Sequence, residues 1–149
     1  MTQNIHVGPG DLDRYVGLEA KREKVWTVRW KEAELDYTEG QEKPGGEMKE
    51  VEGTIYKQGQ PGSSFSAENG HAEKGTGVLT LTGNVVVQAK DPAVTMRSES
   101  VVWDSVRQIL VAKGNVRFDD PSATLGPVKE LWCSPDLKHV ATPDLFSKS

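Results

Sequence analysis

A chain of 149 residues is long enough for one domain with a substantial core. Its apolar content, 36%, is low for a globular protein, while 15 glycines and 8 prolines suit many turns and short strands. The net charge of −4 argues against nucleic acid or an anionic surface as partner, and the single cysteine, Cys133, excludes an internal disulfide framework and a thiolate zinc site.

No stretch approaches the roughly 18 apolar residues of a membrane span. The segment Met1–Gly10 lacks the charged start and apolar run of a signal peptide. The expectation is therefore twofold: a cytoplasmic chain as written, or one whose leader or anchor ahead of Met1 has been removed.

Residues 1–24 are polar and weakly patterned, and read as a tail or as a short helix with Leu12, Tyr15, Val16 and Leu18 on one face. Order is expected from Val25, with a single β-domain over residues 25–145. In Trp26-Thr27-Val28-Arg29-Trp30 large apolar side chains alternate with polar ones, the period of a half-buried strand. Ala33–Tyr37 alternates again. Thr38–Glu47 carries the glycines and proline of a loop.

From Lys49 a repeat takes over. Gly53, Gly83 and Gly114 stand 30 and 31 residues apart, the last two within Gly-Asn pairs. The strongest copy is Gly77–Val87, β-branched and almost free of charge. Residues two before and two after each glycine are apolar: Val51 and Ile55, Leu81 and Val85, Ala112 and Val116. Each copy meets a proline turn, at Pro61, Pro92 and Pro121. A second strand follows (Phe65–Glu68, Met96–Glu99, Leu125–Val128), then a third short element (Gly70–Ala72, Val101–Asp104, Leu131–Ser134). Such a period with strand–turn–strand content indicates stacked β-units. Glycine weakens a strand interior, so three in register point to a line where the sheet bends or bulges. The competing reading is a tight turn at each Gly-Asn.

The alternation gives an inward set: Trp26, Val28, Trp30, Leu35, Val51, Ile55, Phe65, Leu79, Leu81, Val85, Val87, Met96, Val102, Leu110, Val116, Phe118 and Leu131. Arg29, Arg97, Glu99, Lys113 and Arg117 fall on the opposite parity. The pattern alone favours an ordinary sandwich core with no vacancy; the functional reading is an apolar trough that admits lipid chains. Each buried CH₂ of such a chain contributes about 0.8 kcal/mol, so a lined groove needs little polar chemistry.

No catalytic or metal constellation emerges. His6, His71 and His139 are scattered, without ligand spacing. Ser63-Ser64 sits in a Pro-Gly turn, not a nucleophile elbow. Gly75-Thr76-Gly77 lacks the third glycine of a dinucleotide site. A hydrolase would need His71, His139, Asp104 and Asp120 to converge. Trp26, Trp30, Trp103 and Trp132 do not interleave with a basic patch. The expectation is a protein without catalysis, metal or cofactor.

The runs Leu-Thr-Gly-Asn-Val-Val-Val, Met-Arg-Ser-Glu-Ser-Val-Val-Trp-Asp and Ile-Leu-Val-Ala-Lys-Gly-Asn-Val-Arg-Phe resemble the lipopolysaccharide-transport proteins LptC and LptA, the OstA-like family. Trp26–Tyr37 and Val51–Tyr56 look more like LptC. The resemblance covers about residues 25–141. It implies an all-β fold, an antiparallel β-jellyroll open along one side, here built from strand repeats of about 30 residues. It also implies binding of lipid A acyl chains in the interior, by Trp26, Val28, Trp30, Val51, Ile55, Phe65, Leu79, Leu81, Val85, Val87, Met96, Val102, Val116 and Phe118. The implied partners are lipopolysaccharide or a related lipid, other jellyroll subunits joined by edge-strand addition, and an inner-membrane ABC transporter. The implied place is the periplasm, on an inner-membrane anchor not visible in this chain. The alternative function is a structural β-repeat that self-associates edge to edge, with a sealed core and parallel coils.

Overall fold

The computed structural model describes residues 2–16, 23–38, 45–73, 78–90, 93–105 and 107–143. Among them are eleven strands: β1 (Thr2–Val7), β2 (Gly10–Val16), β3 (Glu23–Trp30), β4 (Glu32–Thr38), β5 (Gly45–Lys57), β6 (Gln60–Ala72), β7 (Leu79–Ala89), β8 (Val94–Asp104), β9 (Ile109–Asp119), β10 (Thr124–Cys133) and β11 (Val140–Ala141). They form one sheet in the order β1-β4-β5-β6-β7-β8-β9-β10-β11, with β3 pairing β5 and β2 pairing β3. Every pairing is antiparallel, so the sheet is a meander and the parallel coils of a solenoid do not occur among the described residues.

Residues 1–24, read as tail or short helix, instead supply β1 and β2; Leu18 lies outside the described residues. These strands are parts of a longer design. β3 and β4 follow β5 in one unbroken register, Trp26 opposite Ile55 and Glu32 opposite Lys49. β2 and β1 keep one register across the bend against β3 and β4, Gly10 opposite Trp30 and Val7 opposite Ala33, with a bulge only at the far end, between Arg14 and Tyr15. Each pair is thus a single long strand bent once, at Gly8-Pro9 and at Lys31. The indole N–H of Trp30 donates to the Gly8 carbonyl at 3.0 Å, and Lys31 N donates to Lys49 O at 3.0 Å, so backbone groups at the bend stay satisfied.

The same bend crosses the whole sheet. A regular strand buries every second residue. Across the bend the buried positions step by three, from Trp30 to Ala33, Met48 to Val51, Ala67 to Gly70 and Ser98 to Val101. On β7 and β9 they step by four, from Leu81 to Val85 and from Ala112 to Val116. There Gly83 (φ 82°) and Asn84 (φ 46°), and again Gly114 (φ 86°) and Asn115 (φ 46°), are left-handed. Ladder registers shift at this level, between Ser66 and Asn69, Thr82 and Val85, and Arg97 and Ser100. These are β-bulges: an extra residue bends its strand, and aligned bulges crease the sheet. Both Gly-Asn pairs are therefore bends inside strands and not turns.

Three sequence-based expectations need correction. Gly53 is not the third member of the crease. It pairs with Val28 and Phe65, beyond the crease, and a side chain there would run into the Thr27 carbonyl. Glu50, with φ 51°, holds the crease on β5. Second, the two short elements after each proline turn are one strand each, β6, β8 and β10; the step of three disguises the continuity of β6 and β8, and register shifts either side of Val128 that of β10. Third, β5 already begins at Gly45, inside the stretch read as loop.

The crease divides the sheet into two walls. The first holds β1, β4, β11 and the segments around Met48, Gly70, Leu81, Val101, Leu110 and Leu131. The second holds β2, β3 and the segments around Ile55, Phe65, Val87, Met96, Val116 and Leu125. They close face to face: the Trp103 indole N–H on the first wall donates to the Val25 carbonyl on the second at 3.2 Å. Cys133 Sγ of the first lies 3.5 Å from Met96 Sδ of the second. One continuous apolar cluster fills the space between them. Hydrophobic burial at two faces of one creased sheet is what holds this jellyroll together.

Candidate functional site: the apolar interior and its mouth

Of the fourteen residues expected to line the interior, thirteen are brought together there. Trp26, Val28, Trp30, Val51, Ile55, Phe65, Leu79, Leu81, Val85, Val87, Met96, Val116 and Phe118 are none of them more than 9% exposed. Val102 is the exception. It is half-buried on the outer face, laddered between Thr80 and Val111, while Val101 and Trp103 point inward. The bulge beside Glu99 flips the parity of β8, and counting by twos from Met96 overshoots it. Missed for the same reason were Val101 and Trp103, together with Ala33 and Met48 beyond the crease on β4 and β5. A step of three between apolar residues was the available signal. The side chain of Leu35 lies outside the described residues.

The interior carries no buried charge among the described residues. Its polar members are Ser63, Ser98 and Ser105. Ser98 Oγ donates to the Ser100 carbonyl at 3.0 Å, whereas the hydroxyls of Ser63 and Ser105 have no partner. The residues that a hydrolase would require to converge are engaged separately. His71 Nδ1 lies 2.7 Å from Glu47, Asp104 accepts from the Arg107 amide, and Asp120 caps the turn at Ser122 and Ala123, which holds its carboxyl below the usual range. No group of three or more metal-binding side chains occurs among the described residues.

A pocket of about 430 Å³, the mouth, opens at the surface beside the interior, where Val94, Phe118 and Leu125 of the second wall face Leu137 and Val140, with Asp120, Asp136 and Lys138 also lining it. Leu125, at 46% exposed, is the large apolar side chain most open to solvent there. Opposite it, residues 134–139 form a compact turn. Ser134 N donates to His139 O at 2.8 Å and Leu137 N to Ser134 O at 3.0 Å. Asp136 organises it: Oδ1 accepts from Ser134 Oγ at 2.7 Å and from Lys138 N at 3.1 Å, and Oδ2 from Lys57 Nζ at 2.9 Å. Burial raises the Asp136 pKa, but the hydrogen bonds from Ser134, Lys57 and Lys138 outweigh it and hold the carboxyl at about 2. Beside the turn, burial pushes the Cys133 thiol up to about 12.

A creased antiparallel sheet folded around an apolar interior, without a buried charge among the described residues, defines an all-β jellyroll of the open, two-walled kind. The particular family follows from the sequence within that frame. The family model described as "Lipopolysaccharide-assembly, LptC-related" matches residues 33–126, and the chain belongs to this family. The match runs from β4 into β10 and takes in the crease and both walls. No curated protein matches the chain. The family acts in lipopolysaccharide transport, facing the periplasm from the inner membrane. Among the described residues no helix is long and apolar enough to cross a membrane.

Proposed function

We propose that the protein binds lipopolysaccharide through the acyl chains of lipid A, between the two walls, and passes it from an inner-membrane ABC transporter to the next jellyroll of a periplasmic bridge. The observation that carries this reading is the chemistry of the interior: Ile55, Leu79, Leu81, Val85, Val87, Met96 and Val116 meet in one cluster without a charge. Acyl chains entering from the mouth would exchange water for this surface at about 0.8 kcal/mol per CH₂. The next subunit has an edge to join. β11 covers only Trp132 and Cys133 of β10, and along Thr124–Val128 the only strand paired with β10 among the described residues is β9. An exposed edge is completed by an added strand.

The test is photocrosslinking in cells from a photoreactive amino acid at Leu81 or Val85, with the surface position Glu52 as control. Crosslinks to lipopolysaccharide from the interior and none from Glu52 support the reading. Absence of a crosslink from every interior position overturns it and leaves scaffolding by edge association, for which the closely packed interior is the favouring observation.

A further inference from the structure

The turn between β10 and β11 lies beyond the family match and does something the meander does not require. A two-strand connection needs only to reverse the chain. This one drives Leu137 into the interior, 2% exposed, on a backbone with φ 60° that a branched residue adopts only when its surroundings hold it there. The holding groups are the Asp136 contacts, and the longest reach belongs to Lys57, at the far end of β5 on the opposite wall. Pro135 presses on the same wall, its carbonyl 2.8 Å from where a side chain at Gly62 would begin, so glycine there leaves the turn its seat. The turn is thus fastened across the gap between the walls, over the mouth lined by Val94, Phe118 and Leu125.

We propose that residues 134–139 are a removable plug: Leu137 closes the apolar interior, the Lys57–Asp136 ion pair latches it, and an acyl chain entering past Phe118 and Leu125 takes the place of Leu137. This rests on the acyl-binding reading for the identity of the incoming group, but not for the plug itself. The latch suits a device that must open. Lys57 is 46% exposed and Asp136 15%, so the pair holds the turn without the cost of a fully desolvated charge. Local opening of a turn is far cheaper than unfolding a wall.

Cys133, the only cysteine and the residue just before the plug, is the reporter of opening: its thiol is wholly buried against Met96 in the closed chain. The experiment measures two quantities on wild type, Lys57→Gln, Leu137→Ala and the charge-conserving Lys57→Arg, which leaves Asp136 and its turn contacts in place. One is the rate of Cys133 modification by an aromatic disulfide reagent without lipid. The other is the association rate of a pyrene-labelled C12 fatty acid. The expected result is a thiol rate raised at least about fivefold in Lys57→Gln and Leu137→Ala, with the melting midpoint lowered by only a few degrees, and a rate near wild type in Lys57→Arg. Probe association should accelerate in the same two variants. Equal thiol rates in wild type, Lys57→Gln and Leu137→Ala overturn the plug, whatever the probe does. Should Leu137→Ala fail to fold, the lysine variants decide: a thiol rate in Lys57→Arg below that of Lys57→Gln supports the latch, and one equal to it overturns the latch. Faster thiol modification with no probe bound by any form supports the plug and overturns acyl binding instead.

Discussion

Glu68 fastens the crease to Asn84: the Asn84 amide donates to Glu68 Oε2 at 3.0 Å while the Glu68 side chain lies over Gly83. Thirty-one residues on, Glu99 does the same for Asn115 and Gly114. Gly83→Ala should therefore cost about 1–3 kcal/mol, from a left-handed φ and from displacement of Glu68. Glu68→Ala and Asn84→Ala should couple by about 0.5–1 kcal/mol in a double-mutant cycle read by urea unfolding, since the pair is exposed. Strict additivity would show that the fastening is only geometric.

Leu81 is fully buried between the walls. Its truncation to alanine should cost about 2–5 kcal/mol by chemical denaturation, the range for a packed core site. An effect below about 1 kcal/mol, with lipid binding lost, would mean that the walls stand apart in solution.

Trp103 spans the interior to the Val25 carbonyl. Trp103→Phe keeps most of the ring and removes the donor, leaving a buried carbonyl unpaired. The expected loss is about 1–3 kcal/mol, with faster amide exchange along β3, the strand the indole ties to the opposite wall. Unchanged exchange in β3 would assign the effect to volume alone.

Asp136 gives the fold a defined acid sensitivity. Its carboxyl titrates at about 2 in the folded chain against an ordinary value of 3.8, so folding favours the ionised form. That contribution is complete above about pH 4 and is lost as pH falls toward 2; on the order of 1 kcal/mol should disappear across that window. Asp136→Asn should flatten this part of the stability–pH curve and lower the plateau near neutrality by about the same amount. An identical slope in wild type and variant would place the acid sensitivity elsewhere.

Alternation revealed the strands because each wall buries one face: Trp26-Val28-Trp30, Leu79-Leu81 and Val85-Val87 read correctly by twos. The left-handed pairs Gly83-Asn84 and Gly114-Asn115 were legible for a different reason, since glycine inside a β-branched run demands a backbone cause. What failed was the crease where no glycine marks it. Glu50 takes a left-handed φ, and Glu68 and Glu99 face the bulges, as ordinary-looking charged residues; each hides a parity change, so counting by twos puts Val102 inward and divides β6 and β8. Gly53 misled because its cause is the close approach of Thr27 on β3, a contact made by chain more than twenty residues away. β1 and β2 escaped because their strand character comes from pairing with β3 and β4 and not from their own pattern. The turn at residues 134–139 carries no pattern of its own for a similar reason: only the fold brings Lys57 to Asp136.

The fastening at the crease has a consequence for how such a wall can lengthen. Glu68 with Gly83-Asn84 and Glu99 with Gly114-Asn115 are separate, self-sufficient clips, each carried by a neighbouring strand pair and offset by the same 31 residues. A duplicated strand pair would arrive with its own clip already in phase. The fold line would extend like the hinge of a folding screen as panels are added, so width can change in descent without a new way of bending.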